Sequence, residues 1–580
     1  MEVAVDATAA GTPLERVWAF HGYDEVNYAT LPEGRALLGT LAALHTAPVY
    51  VRNHFWFNTG EGTPALKWGS TNVYGEDARG NPTYDWTLTD GILDTLSATG
   101  ALPFVELGFM PQALSTQPTP YRNAGLTTLD GGCFYPPTDY GKWSGLVRAW
   151  AEHASERYQN ATASWLWELW NEPDIAYWHG SFDEYAKLYD YTESALHDVM
   201  PHAPLGGPAV ARVGGSFLSQ FLEHCASGTN HVTGKSGTRL DLVTFHAKGG
   251  TAISQGHVEM DLGNQLRLHQ AGFSAVAAFP QFKRTPIYIS EADPDGCAAC
   301  SPSVWPEAAY RASTAYGAYE LAMMKRTLEL EAELGVELGG VLTWAFTFPG
   351  TPYFAGYRAL ATNGVDLPVL SAFRLLGRLA GSRLAFASSG AHPLGEVLAS
   401  GVRDESDIDG MATLNGDTVQ VLLWNYHDAI VSAPTAPVHL TVALPPSFGA
   451  RVRVSHLRVD EAHGDAYSVW VEQGMPANPS AAQRSALEHA MAPSPLVPDE
   501  TLAVAADGSV NVDFDLPRFG VSLVTLVADE SSGGTSGTAA GGCACRTSGR
   551  GHDATAAAAL LGVGALVVRR RRRPHAEPKT

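Results

Sequence analysis

Two glutamates stand where carboxylate chemistry would be done. Glu172 lies in Trp170-Asn171-Glu172-Pro173-Asp174, directly after the aromatic, strand-like run 164–169. Glu291 closes a second apolar run, 286–290, and opens Glu291-Ala292-Asp293-Pro294. Two carboxylates, each at the C-terminal tip of a buried strand, suit cleavage of a glycosidic bond. One protonates the leaving oxygen while the other attacks the sugar carbon. Glu172 is the candidate general acid/base, expected to titrate with a raised pKa, and Glu291 the candidate nucleophile, expected to stay ionised. Asn171 is placed to hydrogen-bond a sugar 2-hydroxyl, a contact that strengthens in the transition state. The plainer alternatives are a helix-capping Asn-Glu pair and a surface carboxylate. They account less well for the four-residue motif around Glu172 and for the strand-end position of Glu291.

Other apolar runs end in polar side chains that would converge on the same place. Arg52, Asn53 and His54 follow one run, and an Arg near the nucleophile would keep it ionised. His54 would contact substrate hydroxyls. His246 and Lys248 follow another run: His246 suits the nucleophile or the sugar, and Lys248 an anionic sugar substituent. Trp344 would floor a sugar subsite. Glu106 is a weaker candidate, and Glu168, inside its run, is expected to pair within the barrel. Each of these also has an ordinary structural or solvated reading.

The elements that must hold these residues are legible before residue 385. Short apolar runs occur at 17–20, 48–53, 102–107, 165–169, 204–208, 242–246, 287–290 and 341–346. Continuous rather than alternating apolar runs fit strands buried on both faces. Helical patterns such as 35–44 and 309–330 lie between them. Eight strand–helix units predict an α/β fold, a (β/α)8 barrel over residues 1–385, whose sites lie at the strand C-termini. Glu172 then ends strand four and Glu291 strand seven. From 386 to 530 the runs 419–426, 438–442 and 452–454 come with turn signals at short spacing, predicting an antiparallel β-sandwich.

The chain ends differently. Residues 531–542 form a Gly/Ser-rich linker, and 543–580 carry Cys543-Ala544-Cys545, an apolar segment at 554–568 and five arginines at 569–573. The apolar segment is short for a membrane span, which needs about 20 residues. The order of these parts resembles a myxobacterial-type C-terminal sorting signal; an ordinary tail anchor is the alternative. Either way the segment would engage a membrane or a sorting protease and implies an exported, envelope-attached or secreted protein. The N-terminus shows no basic and apolar leader, in conflict with export. A start site placed too far downstream would resolve that conflict.

A net charge of -22 argues against nucleic-acid partners. The aromatic content, 14 Trp, 21 Tyr and 21 Phe, suits sugar stacking, although core packing explains most of it. Cys297-Ala298-Ala299-Cys300 lacks a second Cys/His pair, so it does not read as a zinc site. A loop-stapling disulfide is favoured over a redox motif or free thiols. No His-x-His or His-Glu-x-x-His pattern suggests a metal-dependent hydrolase, and no Gly-rich nucleotide loop follows a strand. Neither metal nor cofactor is expected.

These motifs together resemble glycoside hydrolase family 39. The resemblance rests on 164–174 and 285–294, on Pro103-Phe104-Val105-Glu106-Leu107-Gly108-Phe109-Met110-Pro111, on Phe245-His246-Ala247-Lys248-Gly249 and on 360–370, and runs from about residue 17 to 385. The family contains β-xylosidases and α-L-iduronidases. It implies a retaining double displacement, Glu172 matching the acid/base and Glu291 the nucleophile, on an oligo- or polysaccharide substrate. The segments 222–241, 246–249 and 291–294 look iduronidase-like, and Lys248 matches a position that binds the iduronate carboxylate. After strand eight the chain departs: Thr362-Asn363-Gly364-Val365-Asp366 stands where iduronidases supply an arginine. With Trp344-Ala345-Phe346 this looks more like the β-xylosidases, so a β-xylosidase-like activity is expected, an iduronidase-like one is the alternative, and a non-catalytic glycan-binding barrel is the rival of another class.

Overall fold

The computed structural model describes residues 1–529 except 24, 66, 126, 127 and 346. The linker at 531–542, the segment 543–580 read from sequence as a sorting signal or tail anchor, and Phe346 of the eighth run therefore lie outside the described residues.

Eight parallel strands close into a barrel: β1 (Phe20–Gly22), β2 (Val49–Asn53), β3 (Ala101–Leu107), β4 (Leu166–Leu169), β5 (Leu205–Val210), β6 (Leu242–His246), β7 (Ile287–Glu291) and β8 (Leu338–Trp344). They neighbour one another in chain order, and β8 closes on β1 through Leu342 opposite Phe20 and Trp344 opposite Gly22. The eight principal helices follow in the same order: α1 (Pro32–Ala42), α2 (Thr87–Thr99), α3 (Tyr140–Tyr158), α4 (Phe182–Val199), α5 (Ser216–Ser227), α6 (Leu262–Ala277), α7 (Thr314–Leu334) and α8 (Pro368–Leu376). Local chemistry sets their ends. Asp139 caps α3 by accepting from the Gly141 and Lys142 N–H groups. Ser181 and Glu184 form a reciprocal capping box on α4. The first strand lies slightly later than its apolar run, because Val17 to Ala19 are buried as an approach to the sheet. Gly22 ends it where Trp344 comes so close that a Cβ would meet Cδ1 at 3.1 Å.

A second core lies between two further sheets. The smaller has the order Ala385–Ser388, Glu2–Asp6, Ala436–Ala443, Ser509–Leu516. The larger runs Thr12–Pro13, Ser382–Arg383, Asp407–Asn415, Thr418–Tyr426, Val521–Ala528, Arg451–Val459, Ser494–Ala503. The N-terminal residues, assigned from sequence to the barrel, thus lie in the sandwich. Glu2–Asp6 alternates exposed and buried side chains, and Val3 and Val5 enter the second core. This strand pairs in parallel with Ala436–Ala443, so the sandwich is not wholly antiparallel.

The strand Thr418–Tyr426 shows how the two cores meet. Val419, Val421 and Leu423 face the sandwich core, while Leu422, Trp424 and Tyr426 on the opposite face join the barrel core. A period of two thus divides one apolar strand between two interiors. α7 is buried nearly all round beneath this sheet. Its Lys325 Nζ lies 2.5 Å from Asp409 Oδ1, and its Arg326 Nη2 3.0 Å from Asp407 Oδ1. Two short helices, Ala466–Glu472 and Ala481–Ala490, reach back from the sandwich: Tyr467 and Trp470 pack on Phe354, and Arg484 Nη1 donates to the Tyr353 hydroxyl at 3.2 Å. No pattern in the sequence reading anticipated that helix pair.

Candidate active site

The tips of β2, β3, β4, β6 and β7 bring their polar side chains to one mouth. Glu172 follows β4 on a strained turn, with Trp170 at φ 67° and Glu172 at φ 48°, left-handed values uncommon for residues with a Cβ. The turn is held by the Glu172 N–H donating to Ala209 O at 3.0 Å and Trp170 Nε1 donating to Tyr177 O at 2.7 Å. Asp174 ties it to the next strand by accepting from the Ala211 and Arg212 N–H groups. Strain of this kind persists only where the surroundings over-determine it. On the other side, the register of β6 against β7 slips between Phe245 and His246, which brings His246 opposite Glu291.

Glu172 and Glu291 face each other. A carboxylate oxygen of each and one ring nitrogen of His246 all lie within 4.8 Å of one another. Lys248 Nζ sits between the glutamates, 3.0 Å from Glu172 Oε1 and 2.5 Å from Glu291 Oε2. His246 Nδ1 bonds Glu172 Oε1 at 2.8 Å and stands 3.7 Å from Glu291 Oε2. This cluster has the atoms of a metal site, but the Lys248 ammonium already supplies the positive charge such a set would call for.

Beneath the pair, Arg52 organises a layer of buried charge. Its Nε donates to Glu168 Oε2 at 2.6 Å. Its Nη2 donates to Glu106 Oε2 at 2.9 Å and Asn171 Oδ1 at 3.0 Å, and its Nη1 reaches Glu291 Oε1 at 3.4 Å. His54 Nε2 lies 2.9 Å from Glu106 Oε2 and 3.8 Å from Glu291 Oε1. Glu168 is thus paired within the barrel as the sequence suggested. Glu106, a weak candidate from sequence, is an integral part of the layer.

The electrostatics correct one expectation. Burial alone would raise Glu172, but Lys248 and the His246 hydrogen bond outweigh it and hold the carboxyl below its ordinary value. The expected raised pKa is therefore absent with Lys248 in this position. Glu291 is also held low: burial is overcome by His246 and Lys248, with Arg52 adding to them. Burial likewise opposes the charge on Lys248, yet the two glutamates hold its pKa above the ordinary lysine value. Burial raises Glu106 well above the carboxylate range against the pull of Arg52, and burial with Arg52 lowers His54 well below the imidazole range.

Trp344 lies at the end of β8, its backbone N–H donating to Asp293 Oδ1 at 3.1 Å. Arg358, overlooked in the sequence, places its guanidinium 4.4 Å over the Trp344 ring. It is fully buried, with Nε 3.7 Å from Asp293 Oδ1 and Nη1 3.5 Å from Asp295 Oδ1. The loop after β8 therefore does supply an arginine, four residues before the segment 362–366. Two residues, Asp293 and Asp295, whose spacing from Glu291 was visible but given no role, anchor it. The Cys297–Cys300 disulfide is formed, and the Cys297 and Cys300 carbonyls accept from Arg311 at 2.7 and 2.6 Å.

A closed parallel barrel with two facing glutamates at the tips of its fourth and seventh strands defines a class, the barrel glycosidases. The profile of the Glycosyl hydrolases family 39 matches residues 1–511, and the chain belongs to that family of glycosyl hydrolases. Among curated relatives it is 27% identical to a β-xylosidase of Geobacillus stearothermophilus over 477 residues, covering 79% of this chain and 83% of that one. It is 31% identical to the α-L-iduronidase of Homo sapiens over 317 residues, covering 50% and 42%. A monomeric β-xylosidase from Caulobacter crescentus shares the fold, with TM-score 0.71 and 22% identity over 91% of this chain and 99% of that one. So does the bacterial orthologue of human α-L-iduronidase, with TM-score 0.72 and 21% identity over 91% and 84%.

Proposed function

We propose that the protein is a retaining exo-glycosidase of β-xylosidase-like specificity, with Glu291 as nucleophile and Glu172 as acid/base. The observation that carries this is the facing pair, whose carboxylate oxygens approach within 4.8 Å. Retaining enzymes set their carboxyl groups about 5–5.5 Å apart, whereas inverting ones leave about 6.5–9.5 Å for a water. Glu291, kept ionised by His246, Lys248 and Arg52, attacks the anomeric carbon and forms a glycosyl ester as the bond to the leaving oxygen breaks. Glu172 gives that oxygen its proton. Water then attacks the anomeric carbon, Glu172 takes a proton back, and the ester bond breaks to free Glu291. A sugar entering between the carboxylates separates Lys248 from Glu172, so that burial raises Glu172 into its acid form. Asn171, whose Oδ1 is fixed by Arg52, is left to meet the sugar 2-hydroxyl, His54 and His246 to meet other hydroxyls, and Trp344 to floor the subsite.

The wider reach of the β-xylosidase relatives, which match most of the chain, supports the xyloside reading. Lys248 favours the iduronidase reading, because a uronate carboxylate needs a cation within reach of the pair. Arg358 adds nothing to that reading while it stays buried and bound to Asp293 and Asp295. Export to the cell envelope belongs to the same proposal and is supported by the order of parts in 531–580 and by the Cys297–Cys300 bridge, which suits an oxidising compartment. The test is release of 4-nitrophenol from its β-xyloside beside 4-methylumbelliferone from its α-L-iduronide. Turnover of the xyloside, lost in Glu291→Ala, is expected. Turnover of the iduronide alone would replace the substrate assignment.

A further inference from the structure

A second cluster of metal-ligating side chains lies outside the mouth. Asp190 on α4, His224 on α5 and His231 in the loop that leads to β6 bring one ligand atom each within 4.8 Å of one another. Asp190 Oδ1 lies 2.9 Å from His224 Nε2, and its Oδ2 lies 2.8 Å from His231 Nδ1. We propose that these three residues bind a zinc-type divalent cation on the helical flank of the barrel.

The ligand chemistry points to that cation. Two imidazoles and one carboxylate, with a fourth position open to water, are a zinc-type set, held at about 2.0–2.2 Å from the metal. A partner stands behind one of the two imidazoles. His231 Nε2 lies 3.4 Å from Asp183 Oδ1. A carboxylate behind a ligating imidazole fixes its tautomer. When Nδ1 turns to the metal, Asp183 is placed to accept the ring proton on Nε2. Thr238 Oγ1 donates to Asp190 Oδ1 at 2.6 Å and the His231 N–H to Asp190 Oδ2 at 2.7 Å, which fix the carboxylate. The loop itself is braced by Asn230, whose side chain accepts from the Val232 and Thr233 N–H groups and donates to Thr238 Oγ1. Asp190 is fully buried and His224 nearly so, while the His231 side chain is 25% exposed and opens the way in. In the absence of metal the same contacts form a hydrogen-bonded staple, each ring donating one N–H to Asp190. On binding, each neutral ring passes the proton that faced Asp190 to its other ring nitrogen, Nδ1 of His224 and Nε2 of His231, and the two contacts to Asp190 open to admit the ion.

The experiment uses the full chain, stripped with chelator and titrated with cobalt(II), then with zinc(II) as competitor. The expected result is one cobalt per chain with visible d–d absorption, displaced by zinc and absent in His231→Phe. Glycosidase turnover should be equal in the two proteins. Thermal unfolding in chelator, equal for both, shows that the variant folds; His231→Asn serves if Phe does not. Metal bound at Cys543 and Cys545 survives either substitution and does not count. Absence of a His231-dependent band, or a band lost in Glu172→Gln instead, overturns the proposal.

Discussion

Lys248 Nζ lies 3.0 Å from Glu172 Oε1, so one ammonium holds the candidate acid in its ionised form before a sugar arrives. Replacing Lys248 by Met removes a charge that favours the carboxylate, and Glu172 in the free enzyme must then titrate higher. An acid active when protonated keeps working to higher pH, so the basic limb of kcat/KM moves up. A pH profile of Lys248→Met on the β-xyloside checks this. A basic limb that stays in place, or moves down, would mean that another group sets it.

Arg52 is fully buried and serves Glu106, Glu168 and Glu291 together. Arg52→Met leaves these buried carboxylates without their shared cation, which should cost about 3–5 kcal/mol of stability. Denaturant unfolding measures it. A loss below 1 kcal/mol would show that the layer rearranges around other donors.

The Cys297–Cys300 bridge closes a short loop, with a sequence separation of 3. Loop-closure entropy for so short a ring gives about 2 kcal/mol. The double Ser variant should unfold that much more easily in denaturant and keep most of its turnover, because Arg311 still holds the two carbonyls. A large loss of turnover at unchanged stability would show that the bridge positions the loop after Glu291 directly.

The sandwich is packed into the barrel. Glu2–Asp6 belongs to it, and α7 lies buried beneath it with Lys325 and Arg326 paired to Asp409 and Asp407. A chain ended at residue 385 should therefore aggregate on expression, and the full chain should unfold in one calorimetric transition. A soluble, active fragment would show that the barrel stands alone.

Much of this was legible in the sequence for a physical reason: strands buried on both faces read as unbroken apolar runs, and their polar tips mark the mouth. That logic placed Glu172, Glu291, Arg52, His54, His246 and Lys248 at strand ends, where the structure clusters them, and Trp344 at the end of β8, where it meets Asp293 and Arg358. It failed where the partner is distant in sequence. Glu2–Asp6 shows its strand period, but only Ala436–Ala443 shows where it goes. Arg358 sits in a loop without period, and its role comes from Trp344, Asp293 and Asp295. The lowered Glu172 could not be read from its motif, because Lys248 sets it across the barrel.

Double displacement by Glu291 and Glu172 is tested most directly by the stereochemistry of the first-formed sugar. Proton NMR of 4-nitrophenyl β-xyloside hydrolysis, followed from the first turnovers, should show β-xylose appearing first and α-xylose only later by mutarotation. α-Xylose appearing first would mean inversion, and would contradict the assignment of Glu291 as the nucleophile.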